Sequence, residues 1–309
     1  MRHWCSVSTL NNRNQLLVAC ATMLVLATVL LVIIVRWGGS GTEAPNPSEV
    51  RELADAACPR VTSPFLYRVE KAGKTSYILG TRHAGVSLAK FPPAVDTLFR
   101  ASKIAVFESI VTASPESPLA TSIEDTLGPE LWDRYREVVG DEIAERVNHE
   151  SIGAANAALF LLYEDTNQAI DRELLQLADS LKIKAVGLED AAKTKAIGDL
   201  VLGVDTLRAV VKAVHRRAEI AASTRHDLRR YCAGELDDGG RSYSESEARK
   251  LADSTRKRTR AWLPTLEALF DDGGAFVVVG NAHASGAGSL SDQLGDDGYT
   301  ITRVPGTDR

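Results

Sequence analysis

The feature that most constrains this sequence is a short pattern that occurs twice. Residues 77–83 (YILGTRH) and 277–283 (VVVGNAH) each contain an apolar run typical of a β-strand, then a glycine, two further residues and a histidine. A glycine at a strand end permits a sharp turn or a close approach to another group. Strand ends of α/β sheets are also where ligands commonly bind. If the two strands are neighbours, His83 and His283 lie at one edge of a sheet.

Two carboxylates are predicted to follow strands of the same kind. Glu108 comes directly after the apolar run 104–107 (IAVF), and Glu189 closes the run 185–189 (AVGLE). A single histidine in such a run is more often structural, and the repeated frame is what favours a shared site. Imidazole and carboxylate groups bind first-row divalent metals, and catalytic sites of this kind usually have three protein ligands. We therefore predict a divalent ion (Mn, Co or Zn) held by His83, Glu108 and His283, with Glu189 as the general base.

The N-terminal region predicts a membrane anchor. Residues 16–35 carry no charge and are mostly Leu, Val, Ala and Ile, and a helix of that length spans roughly 30 Å, the thickness of a bilayer core. A cleaved signal peptide is the alternative, but the run exceeds the usual length and no small-residue cleavage site ends it. We expect a cytoplasmic N-terminus (1–15), a transmembrane anchor (16–36), a flexible linker (37–60) and one domain (61–309).

The charge distribution predicts where that domain lies. Arg2 and Arg13 precede the apolar run, whereas a mildly acidic tract follows it, and the positive-inside tendency then places the main domain outside the cytoplasm, in the cell envelope or periplasm. The net charge of -5 gives no reason to expect a nucleic-acid partner. In an oxidising compartment Cys58 and Cys232 are candidates for a disulfide, and two unrelated buried thiols are the alternative.

The order of apolar patterns predicts an α/β fold, with an α+β variant as the alternative. Residues 65–69 and 74–79 form a predicted β-hairpin around the turn 72–73, while residues 128–203 are mainly helical in pattern. The predicted architecture is a central mixed β-sheet that carries both Gly-x-x-His units, with a large helical insertion between them.

Beyond these patterns, the domain resembles the TraB/GumN/Tiki group of proteins, which is built around two Gly-x-x-His motifs. The resemblance runs from about Pro64 to Val304. The matching pieces are residues 77–83, 92–93, 106–108, 187–189, 279–283, 298–299 and 303–304, together with Asp171 and the pair 174–175. The resemblance implies an α/β core with helical insertions and a site at His83, Glu108 and His283. Arg258, which lies in a Lys-Arg-Thr triplet where the family often has acid-Arg-Asn, is implied as a partner that contacts an anion.

The resemblance also implies a reaction class. The Tiki branch cleaves secreted peptides, in some cases with a metal ion, and the TraB branch controls a peptide pheromone. We therefore expect a membrane-anchored, metal-dependent hydrolase, with a peptide or small molecule as substrate. The alternative is a protein that binds or sequesters such a ligand in the same cleft without cleaving it. A haem-binding role is a third and weaker possibility, since the chain has no CxxCH motif.

Overall fold

The structure, a computed structural model, describes residues 45–110, 121–189, 203–214, 216–236 and 245–306. The strands in chain order are β1 (Phe65–Lys71), β2 (Lys74–Thr81), β3 (Ile104–Phe107), β4 (Lys184–Gly187), β5 (Ala275–Gly280) and β6 (Thr300–Arg303). The helices are α1 (Pro47–Ala57), α2 (Pro93–Arg100), α3 (Ile123–Leu127), α4 (Pro129–Val139), α5 (Asp141–Val147), α6 (Ile152–Phe160), α7 (Ile170–Leu181), α8 (Val204–Ala213), α9 (Arg217–Ala233), α10 (Glu245–Asp272), α11 (Asn281–Ala284) and α12 (Leu290–Asp296). A 3₁₀ turn covers Leu88–Lys90.

The six strands form one mixed sheet in the order β4-β3-β5-β2-β1-β6. Strands β4, β3, β5 and β2 run parallel to one another, whereas β1 is antiparallel to both β2 and β6. The strands of the two Gly-x-x-His units, β2 and β5, are direct neighbours, with Leu79 opposite Val278 and Gly80 opposite Val279. The predicted mixed α/β fold with a helical insertion between the two units is therefore confirmed.

Helices cover both faces of the sheet. Successive side chains of a strand point to opposite faces, and β5 is accordingly split between the two hydrophobic cores, with Phe276 and Val278 in one and Val277 and Val279 in the other. Every residue of β5 is buried, as expected for a parallel strand covered on both sides. Helices α10 and α12 pack on one face, while α1, α2, α7 and α9 contribute to the core on the other.

The predicted linker (37–60) is wrong for residues 47–57, which form α1. The Asn46 side chain caps this helix by accepting a hydrogen bond from the Ser48 N–H, and Pro47 occupies the first turn. Val50, Leu53 and the neighbouring alanines Ala54 and Ala57 are buried on one face. That spacing is the helical signature of a core-facing helix, so the folded domain begins before residue 61.

The predicted anchor (16–36) lies outside the described residues. Within the ranges that the structure does describe, no helix is both long enough and apolar enough to cross a bilayer.

A disulfide joins the beginning and the middle of the domain. Cys58 follows α1 and Cys232 lies near the end of α9, with their Cα atoms 5.8 Å apart, which resolves the two alternatives in favour of pairing. The residue before Cys232, Tyr231, donates a hydrogen bond of 2.9 Å to the backbone oxygen of Gly80. The disulfide therefore anchors the helix that contacts the first Gly-x-x-His motif.

Candidate functional site

Four predicted site residues follow four neighbouring parallel strands. Along the sheet, Glu189 follows β4, Glu108 follows β3, His283 follows β5 and His83 follows β2. Because the carboxyl ends of parallel strands lie at one edge, the topology brings all four residues to the same edge of the sheet, where α/β proteins commonly bind ligands. This juxtaposition depends on strand order, which places β5 between β2 and β3 although it is the fifth strand in the chain.

The glycine of the first motif is required by a close approach of the second motif. A Cβ atom added at Gly80 would lie 2.7 Å from Oδ1 of Asn281 and 2.9 Å from the Cβ of Ala284. Both of these residues belong to α11, which begins directly after Gly280 and also contains His283. Gly80 is not one of the glycines with a positive φ angle, so its backbone conformation does not require a glycine. Its role is thus to let the two motifs pack against each other, as predicted for a close approach.

Arg258 lies at the centre of the site. This residue of α10 donates Nε–H and Nη2–H hydrogen bonds of 2.8 and 2.9 Å to the two oxygens of Glu189. Its Nη2 also lies 3.1 Å from Oε2 of Glu108, and its Nη1 lies 3.0 Å from Nε2 of His283. A planar guanidinium can serve several acceptors in this way, whereas an ammonium is a point charge. One buried cation therefore links three of the four strand ends.

His283 is a neutral acceptor in this network. It is fully buried, and its Nδ1 lies 2.8 Å from Oγ1 of Thr259, a hydroxyl that itself donates to the Thr255 carbonyl. Nδ1 must then carry the proton, which leaves the Nε2 lone pair to accept from Arg258. Burial lowers the pKa of His283, Glu108 opposes this, and the charges of Arg258 and His83 reinforce it, so that the pKa falls to about 3.

The two carboxylates are held in place by donors on other elements. Glu108 Oε1 accepts a 2.5 Å hydrogen bond from the Gly280 N–H. Burial acts to raise the pKa of Glu108, but His283, Arg258 and His83 outweigh it and lower the pKa to about 2. Glu189 also accepts a hydrogen bond of 3.1 Å from the indole N–H of Trp262, one helical turn after Arg258 on α10.

His83 has different surroundings from His283. Its Nδ1 lies 3.3 Å from Oδ2 of Asp171, whose other oxygen accepts a 2.6 Å hydrogen bond from the Thr81 hydroxyl. Burial acts to lower the pKa of His83, but the carboxylates of Asp171 and Glu108 raise it to about 9. Although the His83 side chain is 35% exposed, its Nε2 is buried and has no hydrogen-bond partner among the described residues.

Sequence reasoning missed three contributors to the site: Asp171, Thr259 and Trp262. Asp171 was noted only as part of the resemblance, and it lies at the start of α7, in the first turn. Trp262 lies four positions after Arg258 and three after Thr259, and residues three or four apart are neighbours on a helix surface. The sequence signal that could have identified Thr259 and Trp262 is this helical spacing around Arg258.

The site as arranged does not fit a metal ion, although the donor types do. Two imidazoles and a carboxylate suit Mn, Co or Zn, and the unpartnered Nε2 of His83 is a potential ligand atom. However, no three His, Cys, Asp or Glu side chains in the described ranges are grouped closely enough to hold a metal. The guanidinium of Arg258 also occupies Nε2 of His283 and Oε2 of Glu108, two of the atoms that the ion would need.

A family model described as the TraB/PrgY/gumN family matches residues 65–303, from the first strand to the end of the last. The chain belongs to this family. The match includes both Gly-x-x-His units, both strand-end carboxylates and Arg258. Comparison with curated proteins and with solved structures finds no match.

Proposed function

We propose that this TraB/PrgY/gumN protein is a membrane-anchored hydrolase that cleaves peptides outside the cytoplasm. The observation that carries the proposal is the convergence of Glu189, Glu108, His283 and His83 on one sheet edge, around the buried guanidinium of Arg258. Acids, bases and a cation with shifted pKa values concentrate at catalytic sites, because chemistry requires groups whose protonation differs from that in water.

His83 is the proton donor in this proposal. Asp171 accepts from its Nδ1–H and raises its pKa to about 9, so the ring is protonated at neutral pH and its Nε2–H can donate. A peptide carbonyl oxygen or a departing amine would supply the partner that this atom lacks among the described residues. General-acid catalysis of this kind typically contributes a factor of about 10²–10⁴ in rate.

Glu108, Glu189 and His283 position the second cation in the proposed mechanism. They hold Arg258 through four hydrogen bonds, so its charge is fixed in advance where an oxyanion would develop, as electrostatic catalysis requires. A role for Glu189 as general base belongs to the same proposal, because its oxygens accept three hydrogen bonds from Arg258 and Trp262 and a carboxylate has about four acceptor sites. The proposal also includes dependence of the hydrolase on a divalent ion (Mn, Co or Zn). Because the ion does not fit beside Arg258, no catalytic step is assigned to it.

Membrane attachment through residues 16–36 is proposed on the apolar run 16–35. A run of that length anchors a domain beside the bilayer, and the acidic tract after it favours export of the body. A peptide substrate of the cell envelope or periplasm would then reach the sheet edge without crossing the membrane.

The test is peptide cleavage by the full chain in detergent, followed by mass spectrometry of a mixed peptide library. The wild-type protein should produce new fragments, and His83→Ala should slow their formation about 10²–10⁴-fold. His149→Ala, at an exposed histidine outside the site, is the matched control and should cleave at the wild-type rate. An intact library with wild-type protein, with and without added Mn, Co or Zn, would refute the proposal.

One observation favours the alternative, a protein that binds a peptide or small ligand without cleaving it. Arg258 is engaged with three acceptor side chains, and each Glu189 oxygen accepts from it. A network so fully paired is also what a rigid binding site requires. Under this alternative the library would be retained on the protein but recovered intact.

A further inference from the structure

The guanidinium of Arg258 takes the place of a metal ion in its contacts. It bonds to an imidazole nitrogen of His283 and to carboxylate oxygens of Glu108 and Glu189. These are the donor types that hold Mn, Co or Zn in catalytic sites. Only one cation can occupy this position, because a divalent ion bonded to the same atoms would overlap the guanidinium and repel its charge.

From these contacts we infer that Arg258 is the resident cation of the site and competes with a divalent metal ion for the acceptor atoms of Glu108, Glu189 and His283. The inference rests on the proposed function for its biological meaning, since competition by Arg258 makes metal occupancy of the proposed hydrolase conditional on displacement of that side chain. The test of the inference is independent of the proposed function, because metal affinity is measured without a substrate.

The way Arg258 is held makes it an effective competitor. Its side chain is only 10% exposed, and those of its partners Glu108 and Glu189 are 12% and 4% exposed, so water screens these ion pairs weakly. Its guanidinium also lies 5.2 Å from the Trp262 ring, within the range of a cation–π contact. A metal ion must break these contacts before it reaches His283 Nε2.

Removal of Arg258 should therefore increase metal affinity. Arg258→Met keeps most of the apolar stem and leaves Glu108 and Glu189 without their cation, a state that a divalent ion relieves. We expect the full chain in detergent to bind Mn, Co or Zn at least tenfold more tightly as Arg258→Met than as wild type, by equilibrium dialysis. Arg260→Met, two residues away and exposed, is the matched control and should leave metal affinity unchanged.

Two further variants locate the effect and protect the test against misfolding. His283→Ala added to Arg258→Met should abolish the gain, because it removes a ligand atom that the arginine had occupied. Arg258→Lys retains a positive charge and a folded site but cannot reach all three acceptors, so its metal affinity should lie between those of wild type and Arg258→Met.

The outcomes separate the inference from the proposed function. Equal or weaker metal binding by both Arg258→Met and Arg258→Lys would overturn the inference, as would a gain that survives His283→Ala. Neither result bears on peptide cleavage by the wild-type chain. Conversely, an intact peptide library would overturn the proposed hydrolase while leaving the predicted order of metal affinities in force.

Discussion

Loss of the Cys58–Cys232 disulfide should lower the free energy of unfolding by about 5 kcal/mol. The two residues are 174 positions apart, and closure of a loop of that length removes about 17 cal/mol/K of entropy from the unfolded chain, or about 5 kcal/mol at 25 °C. Both cysteines are buried, at 0% and 4% exposure. Replacement by serine adds a smaller loss, because each hydroxyl enters an apolar environment.

The assay is urea unfolding of the full chain in detergent, followed by tryptophan fluorescence. With a slope of about 2.5 kcal/mol/M, the double variant Cys58→Ser/Cys232→Ser should unfold at a urea concentration about 2 M lower than wild type. The control is Cys5→Ser/Cys20→Ser, which removes the other two of the four cysteines and should unfold at the wild-type midpoint. A thiol titration of the denatured, unreduced wild-type chain should find two free thiols.

Four free thiols would refute the pairing. A midpoint shift below about 0.3 M urea would refute the entropic argument even if the bond forms. The disulfide also fixes the end of α9, where Tyr231 donates to the Gly80 carbonyl. A chain that keeps its midpoint after the double substitution would show that packing of α9 alone holds this contact.

Three further predictions address the surroundings of the two motifs. Gly80→Ala should lower the free energy of unfolding by about 1–3 kcal/mol, because the added Cβ would lie 2.7 Å from Asn281 Oδ1. The control Gly295→Ala, whose added Cβ meets nothing within 4 Å, should not lower it. The measurement is the urea midpoint of each variant compared with that of the wild type. Asp171→Asn should move the pKa of His83 from about 9 towards its ordinary value. The measurement is an NMR titration of the imidazole, with a chelator present to remove metal ions. A raised folded-state pKa contributes stability that is full below about 6.5 and is lost as pH rises through about 9, so the wild type should lose stability across that window and Asp171→Asn should not. Arg82→Met should lower the free energy of unfolding by about 3–5 kcal/mol, since it breaks the buried ion pair between Arg82 and Glu164, and Arg82→Met/Glu164→Leu should cost less; equal midpoints for the single and double variants would contradict this.

The sequence predicted the strands of the site because their apolar runs are short and end at a glycine or a carboxylate. It predicted that His83 and His283 share a sheet edge only on the condition that their strands are neighbours. The condition holds because β5 inserts between β2 and β3, a choice of strand order that depends on packing over the whole chain. Local patterns carry no information about such an order.

Contacts of side chains were the part that the sequence could not supply. Arg258 was implied by resemblance, yet its partners follow from how α10 lies over the sheet edge. Asp171 was noted only as a piece of the resemblance, and its contact with His83 joins residues 88 positions apart. The predicted linker (37–60) is wrong for a different reason, since Pro47 lies inside it and is the first-turn proline of α1.

The repeated motif specifies a position rather than a role. His83 and His283 follow neighbouring parallel strands, but a carboxylate lies against Nδ1 of one and a hydroxyl against Nδ1 of the other. The carboxylate raises the pKa of His83 to about 9, and burial lowers that of His283 to about 3. At neutral pH the first imidazole is therefore a cation that can donate a proton, and the second is a neutral acceptor that holds Arg258. Two copies of one short pattern thus supply His83 as a proton donor and His283 as a neutral acceptor that holds Arg258. The difference is set by Asp171 and Thr259, which lie outside both patterns.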